Sequence, residues 1–260
     1  MKKDRGELAL LVSDSLKAQA GAESMRQAHD WVSFAEADAC VVLGGDGFLL
    51  HVLHSMIDHG TVKPCYGINL GTVGFMLNRN SGTRPIAERV ARAREVEVSP
   101  LAMDAVGRDG QHHRFYAINE VSLLRETRQT AKLEVAVNGK VRMAELAGDG
   151  VLVATPAGST AYNLSANGPI LPLGCRMLAL TPISPFRPRR WRGALLPNSA
   201  FVVIEVLEGD KRPVAAAADH DDVRDVRRVE VLSDKTISMR MLFDPGHSLE
   251  ERILREQFGS

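Results

Sequence analysis

The chain has 260 residues and 28.3 kDa, 45% of them hydrophobic, enough to bury one large core or two smaller ones. Its 32 basic residues balance 32 acidic ones and the sequence pI is near 7.1, which excludes a general electrostatic pull toward nucleic acid or an anionic membrane. Any phosphate recognition must therefore be local.

In chain order, Glu7 to Val12 reads as a strand, Ser15 to Ala37 as helix and loop, and Asp38 to Leu43 as a second strand. Both strands are short and apolar, as in a buried parallel sheet. After the glycines of GGDG, residues Phe48, Leu49, Val52, Leu53, Met56 and Ile57 recur at helical spacing, so the second strand feeds a helix through a tight turn. Pro64 to Asn69 gives a third strand ahead of another glycine loop, GTVGFM. This alternation predicts a doubly wound, Rossmann-like parallel sheet.

Near Val98 to Pro100 the pattern changes to alternating strands, glycines and turn signals. We therefore expect an α/β amino-terminal domain over residues 1–98 and a β-rich carboxy-terminal domain over 99–243. In LEVAVNGKVRM, Leu133, Val135 and Val137 alternate up to Asn138-Gly139, a strong hairpin signal, with Val141 and Met143 expected on the matching parity. Phe201 to Leu207, Val226 to Leu232 and Thr236 to Phe243 are further strand candidates. The last segment, HSLEERILREQF within 244–260, reads as a terminal helix that can pack back on the first domain.

Cys40, Cys65 and Cys175 have no CxxC spacing, which points away from a disulfide framework or structural zinc and toward a reducing, cytoplasmic setting. The amino terminus reads as a buried strand rather than a signal peptide, and no apolar run approaches the roughly 20 residues of a membrane span.

Asp46 stands inside a glycine cluster at a strand end. Glycines there let a ligand approach the main chain, and the following helix offers free N–H groups and a positive dipole end. One reading is a tight connection with a solvated, helix-capping aspartate. The other is a phosphate seat, where a carboxylate is repelled unless it works on a hydroxyl beside the phosphates or shares a magnesium ion with them. In an open α/β sheet, the loops after the second and third strands gather at one edge, where ligands bind. Farther on, Asn119-Glu120 precedes GDGVLVATPAGSTAYNLSANGPI, in which Asp149 sits between glycines and Ser159, Thr160, Tyr162, Asn163 and Ser165 crowd polar groups into a loop. Turns held by their own side-chain bonds are the alternative for each of these residues.

Together GGDGFLL, NLGTVGFM, Asn119-Glu120 and GDGVLVATPAGSTAYNLSANGPI resemble the NAD kinase family, in order and spacing, over most of the chain. GGDG alone is shared with diacylglycerol, sphingosine and phosphofructokinase-like kinases; the long block is the specific part. The resemblance implies an NAD site in the cleft between the domains, magnesium, ATP or polyphosphate as donor, and a homodimer or homotetramer, with no nucleic-acid or membrane partner. It makes Asp46 the base that accepts the proton of the adenosine-ribose 2′-hydroxyl.

By the same resemblance Gly47 lets the backbone approach the dinucleotide, and His51 reaches a phosphate unless it is a structural or solvated histidine. Phe75 packs on the nucleotide or, equally, in the core. Asn119 and Glu120 bind ribose or adenine, and Asp149 binds the nicotinamide amide. Ala157, Thr160, Ala161, Tyr162, Asn163 and Ser165 line the NAD pocket, Ala157 through its backbone. Metal ligands are not identified. The basic cluster Arg187, Arg189, Arg190 and Arg192 is either a solvated loop or the surface that meets the donor's phosphates. Asp219-His220 falls where the family tends to carry an aspartate after a strand, and no role is carried onto it. Phe48 stands where many members have a small or polar residue.

Three other activities compete. A non-catalytic NAD(P) sensor fits poorly with the intact Asp46, a lipid kinase fits poorly with the TPAGSTAY block, and a dehydrogenase lacks its G-x-G-x-x-G fingerprint.

Overall fold

The computed structural model describes residues 6–71, 74–80 and 84–245. The chain forms two compact units, one taking residues up to Val98 and again from Ile237, the other Ser99–Thr236. The expected terminal helix, HSLEERILREQF, lies outside the described residues.

In the first unit β1 (Leu8–Val12), α1 (Leu16–Gln27), β2 (Ala39–Gly44), α2 (Asp46–Asp58) and β3 (Cys65–Asn69) follow one another, then the two-residue β4 (Asn78–Arg79), α3 (Ile86–Arg92) and β5 (Arg94–Val98). Strands β1, β2 and β3 pair in parallel, and the order runs β1, β2, β3, a strand at Met239–Phe243, then β5. Every residue of β2 is buried because both faces are covered. Val41, Leu43, Tyr66 and Ile68 pack with Ala22 of α1 and Val90 of α3. On the other face Met56 of α2 lies 3.9 Å, sulfur to sulfur, from Cys65. Two covered faces explain why these strands read as unbroken apolar runs. The Ser15 hydroxyl caps α1 by accepting the Ala18 amide.

The Met239–Phe243 strand corrects the sequence reading. Its segment was expected in the β-rich half, yet it runs parallel to β3 and antiparallel to β5 in the first unit's sheet. Polar side chains lock it there. Asp244 accepts hydrogen bonds from Tyr66 at 2.6 Å and Arg89 at 2.7 Å, while Asn78 donates to Leu242 O at 2.8 Å. The pattern of MRMLF marks it as a strand but carries nothing about which sheet recruits it.

The second unit has two antiparallel sheets. Its strands are β6 (Leu101–Gly107), β7 (His112–Ala117), β8 (Glu120–Arg125), β9 (Ala131–Val137), β10 (Lys140–Gly148), β11 (Gly150–Ala154), β12 (Met177–Ile183), β13 (Ala194–Pro197), β14 (Val202–Val206), β15 (Val214–Ala218), β16 (Asp221–Val223) and β17 (Val226–Ser233). One sheet runs β10-β9-β14-β17-β6-β7 and the other β13-β12-β11-β8-β15-β16. Both contribute to one core, with Met103, Val135, Ile204 and Val229 from the first and Leu123, Val153, Leu180 and Ala216 from the second. Leu152 and Ala154 point the other way and are covered by Leu171 and Tyr162 of the polar loop. That loop is therefore a lid on a sheet face, including the single-turn α4 (Tyr162–Ser165).

The β9–β10 hairpin turns at Asn138 (φ 52°) and Gly139 (φ 74°), the left-handed pair that Asn-Gly supplies. One expectation fails here. Val137 pairs with Lys140, so Val141 falls opposite Ala136 and is 53% exposed. A register shift before Met143 then sets that residue opposite Val135 and against the core.

Candidate active site

In the first unit, the two glycine loops meet at the carboxyl ends of β2 and β3. Leu70 N donates to Gly44 O at 2.9 Å, and Gly71 N to Asn69 Oδ1 at 2.8 Å. Gly45 is the N-cap of α2 and Asp46 its first residue. The Asp46 carboxylate accepts the main-chain N–H of Phe75 at 2.7 Å and of Met76 at 3.0 Å. It is therefore neither a solvated aspartate nor a cap of its own helix; it ties GGDG to GTVGFM. An ionised carboxylate has about four acceptor sites, so this anchoring is compatible with taking a further proton. A side chain at Gly45 or Gly47 would project into open space, since a Cβ there meets nothing within 4 Å. Packing among the described residues thus gives no reason for glycine at 47, where alanine would serve the helix better.

Phe75 is half-buried, and its main chain, through the bond to Asp46, is its defined contribution. His51 is exposed and faces a different place from the glycine loops. With Phe48, Ser55 and His59 it lines a cavity of about 690 Å³ closed by Leu10 to Val12, Phe34 and Ala35. Asp46 is not part of that lining.

In the second unit, antiparallel register brings three segments to one sheet edge. Ala154, the last residue of β11, pairs with Glu120, the first of β8, and Ala218, the last of β15, pairs with Val121. Asn119-Glu120, the loop after β11 and Asp219 are thereby neighbours. Asp219, with φ 53°, takes the main-chain N–H groups of Ile118 (2.6 Å), Asn119 (3.0 Å) and Glu120 (3.1 Å) on its carboxylate. The Asn119 Oδ1 and Glu120 Oε2 atoms are buried and have no hydrogen-bond partner among the described residues. Burial, with the Asp219 charge adding to it, pushes the Glu120 carboxyl up to about 8.

The loop after β11 is stitched to this edge. Thr155 N donates to Asn119 O at 2.9 Å, and the Thr155 hydroxyl donates to Ile118 O at 2.6 Å while accepting Gly158 N at 3.1 Å. Gly158 has to be glycine, because a Cβ would sit 2.1 Å from Asn119 O. Ala157 is buried beside it, Thr160, Ala161 and Tyr162 are half-buried, and Ser165 is exposed.

Asn163 departs from expectation. It is fully buried, donates to Ser159 O (3.1 Å) and Pro169 O (2.9 Å), and accepts the Thr181 hydroxyl (2.7 Å). Its amide is used inside the fold as a strut, so a ligand-facing side chain at 163 is not what the structure shows. Buried Ser159 likewise bonds Pro156 O and Leu171 N.

Asp149 lies at the other end of β11, five residues from Ala154, about 17 Å along a strand. It is ion-paired with Arg125 at 2.5 Å. Burial, then the charges of Asp149 and Glu120, raise the Tyr162 phenol, so Tyr162 lies in the field of both ends. Arg189, Arg190 and Arg192 line a cavity of about 770 Å³ with Trp191, Ala166 and Asn167, at the close of the polar loop. Among the described residues no carboxylate is ion-paired with these arginines. No three His, Cys, Asp or Glu side chains converge as a metal cage among the described residues. No helix among the described residues is long and apolar enough to cross a membrane.

Sequence reasoning missed the parts played by Asp219, Thr155 and Arg125. The first had a local signal, an aspartate directly after a strand; the other two are long-range partnerships with none.

Residues 118–233 match the family model described as the ATP-NAD kinase C-terminal domain. The chain is 51% identical over 253 residues to the NAD kinase of Zymomonas mobilis, covering 96% of this chain and 97% of the relative. It is 54% identical over 253 residues to that of Rhizorhabdus wittichii, with the same coverage. Among solved structures, yeast NADH kinase complexed with NADH superimposes with a TM-score of 0.75 at 26% identity, covering 86% of this chain and 68% of that one.

Proposed function

The chain belongs to the NAD kinase family, and from that membership we infer that it transfers the terminal phosphoryl group of ATP to the 2′-hydroxyl of the adenosine ribose of NAD, forming NADP. In this reaction the 2′-oxygen bonds to the γ-phosphorus, the bond to the β,γ-bridging oxygen breaks, and ADP leaves with that electron pair. The 2′-hydroxyl proton goes to Asp46, and general base catalysis of this kind contributes about 100- to 10,000-fold. The observation carrying this role is the pair of main-chain hydrogen bonds that fix the Asp46 carboxylate at the meeting of two glycine loops. A fixed base replaces a chance encounter in solution, which is how phosphoryl transfer is accelerated without covalent chemistry.

Gly47 offers its open main chain to phosphate. Asn119, Glu120, Ala157, Thr160, Ala161, Tyr162 and Ser165 bind the adenosine part of NAD, and Asp149, at the far end of β11, the nicotinamide amide. The arginine cavity takes the donor's phosphates, ATP or polyphosphate, because guanidinium groups without acidic partners suit phosphate oxygens. Magnesium accompanies the reaction. Water and substrate phosphates can supply most of the magnesium shell, and the ion would neutralise phosphate charge.

The setting we propose is cytoplasmic, and the assembly a homodimer or homotetramer. Supporting the assembly, edge strands β10 and β13 each expose a large apolar side chain, Val141 and Leu195; light scattering measures the subunit number. The test of the reaction is Asp46→Asn supplied with NAD, ATP and magnesium. It should bind NAD and form NADP at least about 100-fold more slowly. Undiminished NADP formation removes Asp46 as the base.

A further inference from the structure

We propose that Asp219 is a positioning residue that presents Glu120 to the substrate as a neutral carboxylic acid, a hydrogen-bond donor set beside the acceptor Oδ1 of Asn119. The proposal rests on the reading that Asn119 and Glu120 bind NAD and adds what form they take.

The geometry is unusual for an acidic pair. Three consecutive amides, of Ile118, Asn119 and Glu120, converge on one carboxylate, and Asp219 N returns a hydrogen bond to Glu120 O at 3.1 Å. The Asn119-Glu120 turn therefore has little freedom, and its side chains leave it in fixed directions. Both Asn119 Oδ1 and Glu120 Oε2 are buried without a partner among the described residues. An ionised carboxylate buried without a partner is expensive, and a group in that position ordinarily takes up a proton instead.

The surrounding charges act in the same sense. Asp219 is the charged neighbour that disfavours ionisation of Glu120. Tyr162 across the loop is a neutral phenol with its own ionisation disfavoured. His220, beside Asp219, is exposed, and Arg125 at the other end of β8 is engaged by Asp149. No cation pairs with Glu120 among the described residues. A donor beside an acceptor at fixed spacing matches a neutral group with both functions, such as a ribose hydroxyl pair or the edge of an adenine. It does not match a phosphate, which would leave Asn119 Oδ1 facing another acceptor.

The experiment is NAD affinity from pH 6 to 9.5, by calorimetry on the full-length protein, for wild type, Glu120→Gln, Glu120→Ala and Asp219→Asn. Glutamine is neutral and keeps a donor, so E120Q should bind within about threefold of wild type at pH 7, and E120A at least about tenfold more weakly. Wild-type affinity should fall above about pH 8, and E120Q should be flat there. D219N, relieved of one negative charge, should bind more weakly at pH 7 and show its break at lower pH, with KM for NAD raised more than kcat is lowered.

E120Q as weak as E120A would mean that the ionised carboxylate is needed, and the proposal fails while the site stands. A lower Tm in D219N with an unmoved break would reduce Asp219 to a structural role and also overturn it. E120A binding NAD like wild type would remove the site reading, and the proposal with it.

Discussion

Asp46 and Phe75 are joined by a 2.7 Å hydrogen bond from the Phe75 main chain to the Asp46 carboxylate, so the proposed base is also the clasp between two loops. Asparagine at 46 keeps one acceptor and turns the other into a donor facing a main-chain N–H. An unsatisfied buried donor costs about 1–3 kcal/mol. At about 2–4 °C per kcal/mol for a chain of this size, D46N should melt roughly 2–12 °C below wild type. Scanning calorimetry beside the NADP assay separates this loosening from the loss of the base. An unchanged Tm would mean that the clasp does not hold in solution.

Gly47 gives the opposite sign. It sits in the first turn of α2 with open space where a side chain would go, so alanine should relieve backbone entropy and stabilise the fold by up to about 1 kcal/mol. If phosphates approach the bare main chain there, the added methyl should raise KM for ATP or NAD at least about tenfold, the equivalent of one 1.4 kcal/mol step. A more stable G47A with unaltered kinetic constants would show that nothing approaches at that point.

What the sequence disclosed follows physical range. The strand–glycine–helix units β2–α2 and β3 with its loop were legible because hydrophobic period and glycine placement are local signals. The Asn138-Gly139 hairpin was legible for the same reason, while the register shift that puts Met143 on the core depends on partner strands. The allocation of Met239–Phe243 to the first sheet depends on Arg89 and Tyr66, more than 140 residues away, which a pattern of five residues does not carry. In the polar loop, sequence showed which residues were polar but not which way they faced. Asn163 turned inward onto Thr181, while one oxygen of the half-buried Glu120 was left buried and unanswered among the described residues.

The return of the chain to the first unit has its own test. Arg89 is 8% exposed and Asp244 16%, and their 2.7 Å ion pair also holds the Tyr66 hydroxyl. Removing one partner of a buried pair leaves the other charge uncompensated, typically about 3–5 kcal/mol. Asp244→Ala should lower the unfolding free energy measured in urea by that amount. A loss below about 1 kcal/mol would indicate that solvent already screens the pair.

Arg189 and Arg190 line their cavity without acidic partners among the described residues, so substituting both with alanine should leave the fold intact. If they meet the donor's phosphates, the double variant should show KM for ATP raised at least about tenfold, given about 1.5–3 kcal/mol per charged hydrogen bond. Affinity for NAD should stay within about twofold. Wild-type KM for ATP should also rise with salt, and the variant's should rise less, because the screened charges are gone. An unchanged KM for ATP assigns these arginines to a solvated loop.

Glu120 also sets a pH dependence of folding stability whose sign is opposite to that of a salt-bridged acid. Its folded-state carboxyl stands at about 8, above the value of 4.5 for an exposed glutamate. Between those two values the native state holds a proton that the unfolded chain has released. Stability therefore falls as pH rises through that window and levels off above about 8. Glu120→Gln removes the titration, so the variant should gain on wild type steadily from pH 5 to 8 in urea unfolding measured at each pH. Parallel curves for the two proteins across that range would place Glu120 in an ionised, solvated state and remove the basis for treating it as a donor.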